Sequence, residues 1–250
     1  MWDNKTLQKC AAVLLTLALW QAAAMALNQK LLLASPLSVL ARLAVIWREP
    51  AFFQTVWFSF ARIVGGFTLA LVLGVLLAMI AGKFPVLEIF FWPMFTAIKS
   101  VPVASFIIIS LIWLSSAQLS TFISFLMVLP IIYTNVLQGI RSTERQMVEM
   151  ADLFRVPWTR RLKYIWLPQI RPYLLSACST SLGMSWKAGV AAEIIGIPDG
   201  SIGEMLYHAK AYLNTVDLFA WTVIIVAVSI LFEKAFLALL RKGFERLVKA

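Results

Sequence analysis

This sequence has little charge and almost no histidine or cysteine. Of its 250 residues, 14% are charged and 61% are hydrophobic, whereas soluble domains are roughly 25% charged and 45–50% apolar. The two cysteines, Cys10 and Cys178, fall in different apolar runs, and the single histidine, His208, has no second histidine or cysteine beside it. These residues therefore predict no disulfide framework and no metal site.

Motifs for catalysis and nucleotide binding are also missing. The stretch GVLLAMIAGKF contains glycines and Lys83, but their spacing does not fit the GxxxxGK[ST] phosphate loop. The chain contains neither HExxH nor GxSxG. We therefore predict that this chain is not an enzyme and holds no cofactor, so that any ATP used must be bound by another subunit.

Long apolar runs dominate the sequence. Crossing a hydrocarbon core takes about 20 apolar residues, and six runs meet this length, at residues 10–33, 55–81, 86–114, 119–140, 173–195 and 218–240. Pro93 and Pro102 interrupt the third run, which predicts a kinked or broken helix. The predicted fold is an all-α, polytopic membrane protein with about six transmembrane helices.

The first run has two interpretations. Lys5 and Lys9 followed by apolar and small residues are typical of a secretory signal, but this run is longer than the usual 7–15 residues of a signal sequence. Five further spans follow it, which favours an uncleaved first helix.

Basic residues predict the orientation, because lysine and arginine accumulate in cytoplasmic loops. With six spans, the more basic side carries Lys5, Lys9, Lys83, Arg141, Arg145, Arg155, Arg160, Arg161, Lys163, Arg171, Lys234, Arg241, Lys242, Arg246 and Lys249. The other side carries only Lys30, Arg42, Arg48 and Lys210. Both termini are therefore predicted to be cytoplasmic. The net charge is +10. Because the basic residues flank apolar helices, they predict contact with anionic lipid and not with nucleic acid.

Small residues recur every four positions in the second span, at Gly66, Ala70, Gly74, Ala78 and Gly82. Such a ridge lets another helix backbone approach closely. The pattern predicts a tight helix contact, either within one subunit or across a dimer.

The longest charged segment, residues 141–171, lies between the fourth and fifth spans on the predicted cytoplasmic side. Good helix formers fill 144–155, and Pro157 breaks the pattern. A second short helix is predicted at 159–167, with Pro168 ending it. The segment therefore predicts two short helices at the membrane surface.

This segment resembles the EAA-type loop of bacterial ABC importer permeases, which reads E-A-A-x-x-x-G, nine residues, then I-x-L-P. Glu149, Met150 and Ala151 take the first three positions, and Arg155 takes the glycine position. The closing positions are matched by Ile165, Leu167 and Pro168. Arginine in place of glycine puts the local turn in doubt, although Pro157 can supply a break nearby.

Other stretches are similar to the branch of that family associated with nitrate, sulfonates and taurine. They are FFWPMFTAIKSVPVASFIIISLIW in the third span, LGMSWKAGVAAEIIG in the fifth, and GSIGEMLYHAKAYLNTVDLFAW before the sixth. The resemblance implies a permease that forms the solute pathway, in a bacterial inner membrane. The solute would be small and either anionic or nitrogen- or sulfur-containing.

The resemblance also implies partners. They are two cytoplasmic ABC ATPase subunits that bind ATP and magnesium, an extracytoplasmic solute-binding protein on the outer loops 34–54 and 198–217, and a second permease copy, giving a homodimer. The implied ATPase-coupling residues are Glu149, Met150, Ala151, Asp152, Leu153, Arg155, Pro157, Ile165, Leu167 and Pro168. Alternatively, the loop is an amphipathic segment lying on lipid.

Charges inside the spans are costly against lipid, so each predicts a pathway or helix-pairing role. The candidate pathway residues are Lys99, Pro102, Trp186, Lys187 and Glu193. Arg62 and Lys187 could instead reach the headgroups, and Glu193 could satisfy hydroxyl or backbone donors.

The predicted organisation has three parts. Residues 1–54 hold the first helix and an outer loop, 55–240 the permease domain, and 241–250 a basic cytoplasmic tail. A gradient-driven secondary transporter is the alternative function, but no internal repeat supports it.

Overall fold

A computed structural model describes residues 3–27 and 33–249, and all regular structure among them is helical. The helices are α1 (Asp3–Leu27), α2 (Pro36–Ile46), α3 (Phe52–Lys83), α4 (Pro85–Ser100), α5 (Val103–Ser110), α6 (Ser116–Arg141), α7 (Arg145–Leu153), α8 (Trp158–Arg161), α9 (Leu167–Gly196), α10 (Ile202–Ala211) and α11 (Thr215–Lys249). A π-helical turn, Leu162–Trp166, joins α8 to α9. The all-α fold is thus confirmed for the described residues.

The membrane spans agree with the apolar runs in most places. Within the described residues, α1, α3, α6 and α11 are long and apolar enough to cross a membrane. Helices α4 and α5 form a further candidate that is bent by 102°. Helix α9 has 30 residues and is long enough to cross, but it is more polar. The count of six spans therefore stays a prediction, and residues 28–32 of the first predicted span lie outside the described residues.

The predicted break in the third span is confirmed, and it lies at Val101 and Pro102, between α4 and α5. Pro93 lies inside α4 without ending it. The structure contradicts the prediction that Pro168 ends a helix, because the chain stays helical from Trp158 to Gly196. Pro168 lies in the first turn of α9, directly after the π-helical turn. The π-helical turn changes the backbone bonding just before Pro168, where the Leu167 N–H donates to the Leu162 carbonyl, so a residue without an N–H is accommodated inside the continuous helix.

The small-residue ridge packs inside the subunit, against α6. A Cβ placed on Gly66 would lie 2.2 Å from the carbonyl oxygen of Thr121, and one on Gly74 would lie 2.9 Å from Cγ2 of Ile132. A Cβ placed on Gly82 would lie 3.0 Å from Cγ2 of Ile140. Residue numbers rise together along both helices, so α3 and α6 run in the same direction. The α4–α5 pair between them must therefore return the chain across the bundle.

The other long helices follow the same logic. Gly139 of α6 meets Tyr173 near the start of α9, while Gly196 at the end of α9 meets Leu119, so α9 runs against α6. Helix α11 runs parallel to α3, since Phe52 stacks on Trp221 and Phe67 packs on Phe236. The basic ends of α3, α6 and α11 consequently lie at the same end of the bundle as the α7–α8 segment.

The two largest buried clusters in the described part of the chain lie along the bundle. One contains Phe67, Ile132, Tyr133 and Leu182, and is shared by α3, α6 and α9. The other contains Ile63, Trp186, Ile202 and Trp221, and joins α2, α3, α9, α10 and α11 toward the opposite end. Helix α2 lies in the predicted outer loop 34–54, and Ser35 caps it by accepting the Ser38 N–H at 3.2 Å.

Candidate functional site

The α7–α8 loop, which we define as residues 142–161, is short and rigidly built. Helix α7 starts four residues after α6 ends, and α8 starts at Trp158 after a turn ending in Pro157. The side-chain amide of Gln169 in α9 donates to the carbonyl oxygen of Ser142 at 3.1 Å. The loop is therefore attached to the ends of both α6 and α9.

Helix α7 ends in a Schellman motif, a turn in which two backbone N–H groups bond back to the last helical carbonyls. The Val156 N–H donates to Ala151 at 2.9 Å, and the Arg155 N–H donates to Asp152 at 3.0 Å. Arg155 occupies the left-handed position of this motif with φ 50°, which favours glycine because other residues are strained there. The turn therefore forms although Arg155 replaces glycine, and the left-handed backbone of Arg155 is strained.

Arg161 holds this turn from the other side. Its Nε donates to the Val156 carbonyl at 2.7 Å, and its Nη2 donates to the Ala151 carbonyl at 2.8 Å. Its Nη1 pairs with the carboxylate of Asp152. Ala151 is fully buried beneath these contacts. One guanidinium thus fixes the end of α7 to the start of α8.

The outward face of α7 is apolar. Leu153 and Phe154 are 80% and 73% exposed, and Met147 and Met150 are about half exposed. These four residues recur at intervals of one, three and four and so share one side of the helix; we call them the α7 apolar face. Trp158 extends the exposed apolar surface onto α8. A rigid backbone presenting large apolar side chains is typical of a docking surface.

The remaining predicted coupling residues support this geometry or lie next to it. Glu149 is exposed on α7, and Pro157 precedes α8 as its N-cap residue. Ile165 lies in the π-helical turn, and Leu167 and Pro168 open α9. Asp152 pairs with Arg161 of its own chain.

The structure does not bring the five predicted pathway residues together. Glu193 is fully buried; its Oε2 accepts a hydrogen bond from the Ser59 hydroxyl at 2.7 Å and one from the Gly203 N–H at 3.2 Å. It therefore joins α3, α9 and α10, as the alternative of satisfying internal donors predicted. Trp186 is buried in the cluster around Ile63.

The other pathway candidates lie elsewhere. Lys187 is exposed on α9, and Pro102 is exposed at the bend between α4 and α5. Lys99, near the end of α4, lines a cavity between α4 and α6. Arg62 donates to the carbonyl of Ala117 at 2.5 Å and lies over the ring of Phe58, so it pairs α3 with α6.

At the opposite end of the bundle, an ion network attaches α2 to α11. Arg42 bonds to Glu49 at 2.6 Å and to Asp217 at the start of α11. Partial burial lowers the pKa of Arg42, but the hydrogen bonds that Arg42 donates to the carboxylates of Asp217 and Glu49 outweigh this effect and raise that pKa above its ordinary value. The predicted outer loops therefore form a connected surface.

Comparison with known proteins decides the family. The sequence pattern of the family described as "Binding-protein-dependent transport system inner membrane component" matches residues 70–249. The chain belongs to this family. The α7–α8 loop and all five pathway candidates lie inside the matched region.

Individual relatives of this permease are distant in sequence but cover most of its length. It is 24% identical over 85% of its chain to a candidate aliphatic sulfonates transport permease, SsuC of Bacillus subtilis, covering 77% of that protein. It is 26% identical over 92% of its chain to the taurine transport system permease TauC of Escherichia coli, covering 86% of it. The bicarbonate transport system permease CmpB of Synechococcus elongatus is 25% identical over 78% of this chain, with 70% of CmpB covered.

The protein is therefore a multi-pass membrane permease subunit of an ABC importer. Family membership implies an ATPase and a solute-binding protein as partners. The three relatives are named as transport permeases, not as enzymes.

Sequence reasoning missed three interactions at these sites. Arg161 had been counted only as a topology determinant, and nothing local indicated that it reaches back nine residues to Asp152. The Ser59–Glu193 contact and the Glu88–Arg141 ion pair each join residues far apart in the chain. The only sequence signal for these three interactions was a charge inside an apolar run. Of the residues that form them, this signal identified only Glu193.

Proposed function

We propose that the α7–α8 loop is the docking site for the cytoplasmic ATPase and transmits its movements to α6 and α9. The observation that carries this proposal is the α7 apolar face, held outward by a backbone that Arg161 fixes. A helix of nine residues with its own hydrogen bonds satisfied can move as a rigid body. Leu153 and Phe154 would fill an apolar groove on the ATPase.

The transmission route follows the covalent and hydrogen-bonded connections of the loop. Helix α6 leads into α7 through Ser142, whose carbonyl is bonded to Gln169 of α9. Displacement of α7 would therefore act on α6 and α9 together. These two helices pack along their length, with Gly139 against Tyr173 and Gly189 against Ser124. We infer that ATPase movement shifts them as a pair relative to α4.

We further propose the membrane orientation and assembly. Both termini and the α7–α8 loop lie in the cytoplasm, because the basic helix ends share one end of the bundle. The permease works as a homodimer beside anionic lipid, with a solute-binding protein on the surface formed by α2 and α10. ATP and magnesium are bound by the ATPase, and this chain holds no cofactor of its own.

The proposed solute is a small anion. The relatives are named for sulfonates, taurine and bicarbonate, which are anionic or carry an anionic group. Lys99 and Lys187 supply positive charge on helices of the matched region. Selection among such anions is assigned to the binding protein.

The docking proposal is tested by co-purification. The tagged chain is solubilised gently from its own membrane, and the ATPase retained with it is quantified by mass spectrometry. Leu153→Asp places a charge in the α7 apolar face and should lower ATPase recovery at least about tenfold, since burying an unpaired charge in an interface costs several kcal/mol. Tyr212→Asp is the matched control, because Tyr212 is equally exposed, at 77%, but lies between α10 and α11.

Retention of the ATPase by Tyr212→Asp and its loss from Leu153→Asp would support docking on α7. Equal recovery with both variants would contradict it and leave the loop as a segment lying on lipid. Correct folding of each variant is checked by a single symmetric peak in size-exclusion chromatography.

A further inference from the structure

A cavity lined by apolar and charged side chains lies between α4 and α6, outside the α7–α8 loop. Its volume is about 330 Å³, which suits a small solute. Helix α4 contributes Glu88, Trp92, Thr96 and Lys99, which recur every three or four residues and so share one face. Helix α6 contributes a matching face that includes Tyr133, Gln138 and Arg141. Both walls therefore combine apolar side chains, among them Phe95 and Leu137, with polar and charged ones.

An ion pair lies at one end of this cavity. Arg141, the last residue of α6, holds Glu88 in the first turn of α4 through both guanidinium Nη atoms, with the Nη1–Oε1 bond at 2.8 Å. This bidentate arrangement is the one that a guanidinium uses for carboxylates and other oxyanions. The pair bridges the two walls, so its presence narrows the cavity at this end.

The opposite end carries an uncompensated positive charge. Lys99 lies about 16 Å from Glu88 along α4, at 1.5 Å per residue. Within the described residues it makes no ion pair, and Glu88, the one carboxylate lining the cavity, is already paired with Arg141. The cavity therefore has a net positive charge.

Unused hydrogen-bonding capacity adds to this charge. The side chain of Tyr133 is only 3% exposed, and its buried hydroxyl has no hydrogen-bond partner in the described part of the chain. Buried hydroxyls are normally bonded, and this one belongs to a residue that lines the cavity, so it can bond to a ligand there. Thr96 and Gln138 supply further donors in the lining.

We propose that this cavity binds a small oxyanion, with Lys99 attracting it and the Glu88–Arg141 pair closing the cavity until the anion replaces Glu88 on Arg141. The proposal deepens the proposed function by assigning a solute site and a closure. Arg141 ends α6 one residue before Ser142, which is bonded to α9. Movement of α7 would therefore separate Arg141 from Glu88 directly.

The test uses charged thiol reagents and needs neither transport nor the ATPase. The full chain with Cys10→Ser and Cys178→Ala carries Thr96→Cys as a reporter in the cavity, in lipid nanodiscs. Its modification rates with sulfonatoethyl methanethiosulfonate and with trimethylammonioethyl methanethiosulfonate are measured by mass spectrometry. The intrinsic reactivity of the thiol affects both rates equally, so the ratio of the two rates reports the local charge.

We expect the sulfonate reagent to react at least about tenfold faster once each rate is normalised to free cysteine, since a positive cleft concentrates anions by that order. Lys99→Met should remove most of this preference. Lys242→Met, an equally charged and exposed residue outside the cavity lining, should keep it. Sodium nitrate should slow sulfonate labelling more than sodium chloride at equal ionic strength.

Glu88→Gln tests the closure. Freeing Arg141 should raise the sulfonate labelling rate by at least about threefold, whereas an unchanged rate would overturn the closing role of the pair. A rate ratio near one, or a ratio that survives Lys99→Met, would overturn the anion site. Either result leaves ATPase recovery by the α7 apolar face untouched, so the two proposals fail separately.

Discussion

Two neighbouring glycines of α3 offer a matched test of helix packing. Gly66→Ala would place a Cβ 2.2 Å from the Thr121 carbonyl oxygen and 3.1 Å from the Phe125 backbone nitrogen. Backbone atoms cannot move aside as a flexible side chain can, so α3 and α6 must separate. Overpacking of this kind typically costs about 1–3 kcal/mol. Gly65→Ala meets nothing within 4 Å, so it only gains helix propensity, about 1 kcal/mol.

The assay is thermal unfolding of the purified chain, followed by tryptophan fluorescence. Both variants gain the same propensity, so the difference between their melting temperatures isolates the overpacking cost. At about 2–4 °C per kcal/mol for a chain of this size, Gly66→Ala should melt roughly 2–12 °C below Gly65→Ala. Equal melting temperatures would refute the close α3–α6 contact. The small-residue ridge would then be assigned to a contact between subunits.

Substitutions at three other residues test the local interactions. Arg155→Gly should relieve left-handed strain and stabilise the end of α7 by up to about 1 kcal/mol, seen as slower hydrogen exchange at the loop amides. Arg161→Ala should speed exchange in α7 by about tenfold, because the bonds that hold the loop turn are worth roughly 1 kcal/mol or more in total. Glu193→Ala should destabilise the chain by about 1–3 kcal/mol, since it leaves buried donors of Ser59 and Gly203 unpaired; Glu193→Gln keeps an acceptor and should cost less in the same thermal unfolding assay.

Features fixed by local composition could be predicted from the sequence. Apolar length identified the long helices, and Pro102 identified the broken third span. The charge pattern located the α7–α8 loop. These predictions depend on neighbours in the chain, so a single sequence contains the information needed.

Features that depend on distant residues could not be predicted. The spacing of Gly66 and Gly74 indicated a close contact but not its partner, because either α6 or a second copy fits the same ridge. Arg161 reaches Asp152 across a turn in which Arg155 is left-handed, a conformation that its residue type disfavours. Pro168 was misjudged because the π-helical turn before it alters the local geometry.

We propose that an ATPase, and not an ion gradient, moves this chain. This proposal is tested by reconstituting the complex that co-purifies with the chain into proteoliposomes and measuring uptake of labelled taurine, bicarbonate and nitrate, each with the system's solute-binding protein outside. Uptake of at least one anion that requires ATP inside, persists with proton and sodium gradients collapsed and is lost with Leu153→Asp is the predicted result. Uptake that proceeds without ATP and follows a proton or sodium gradient would contradict coupling to an ATPase.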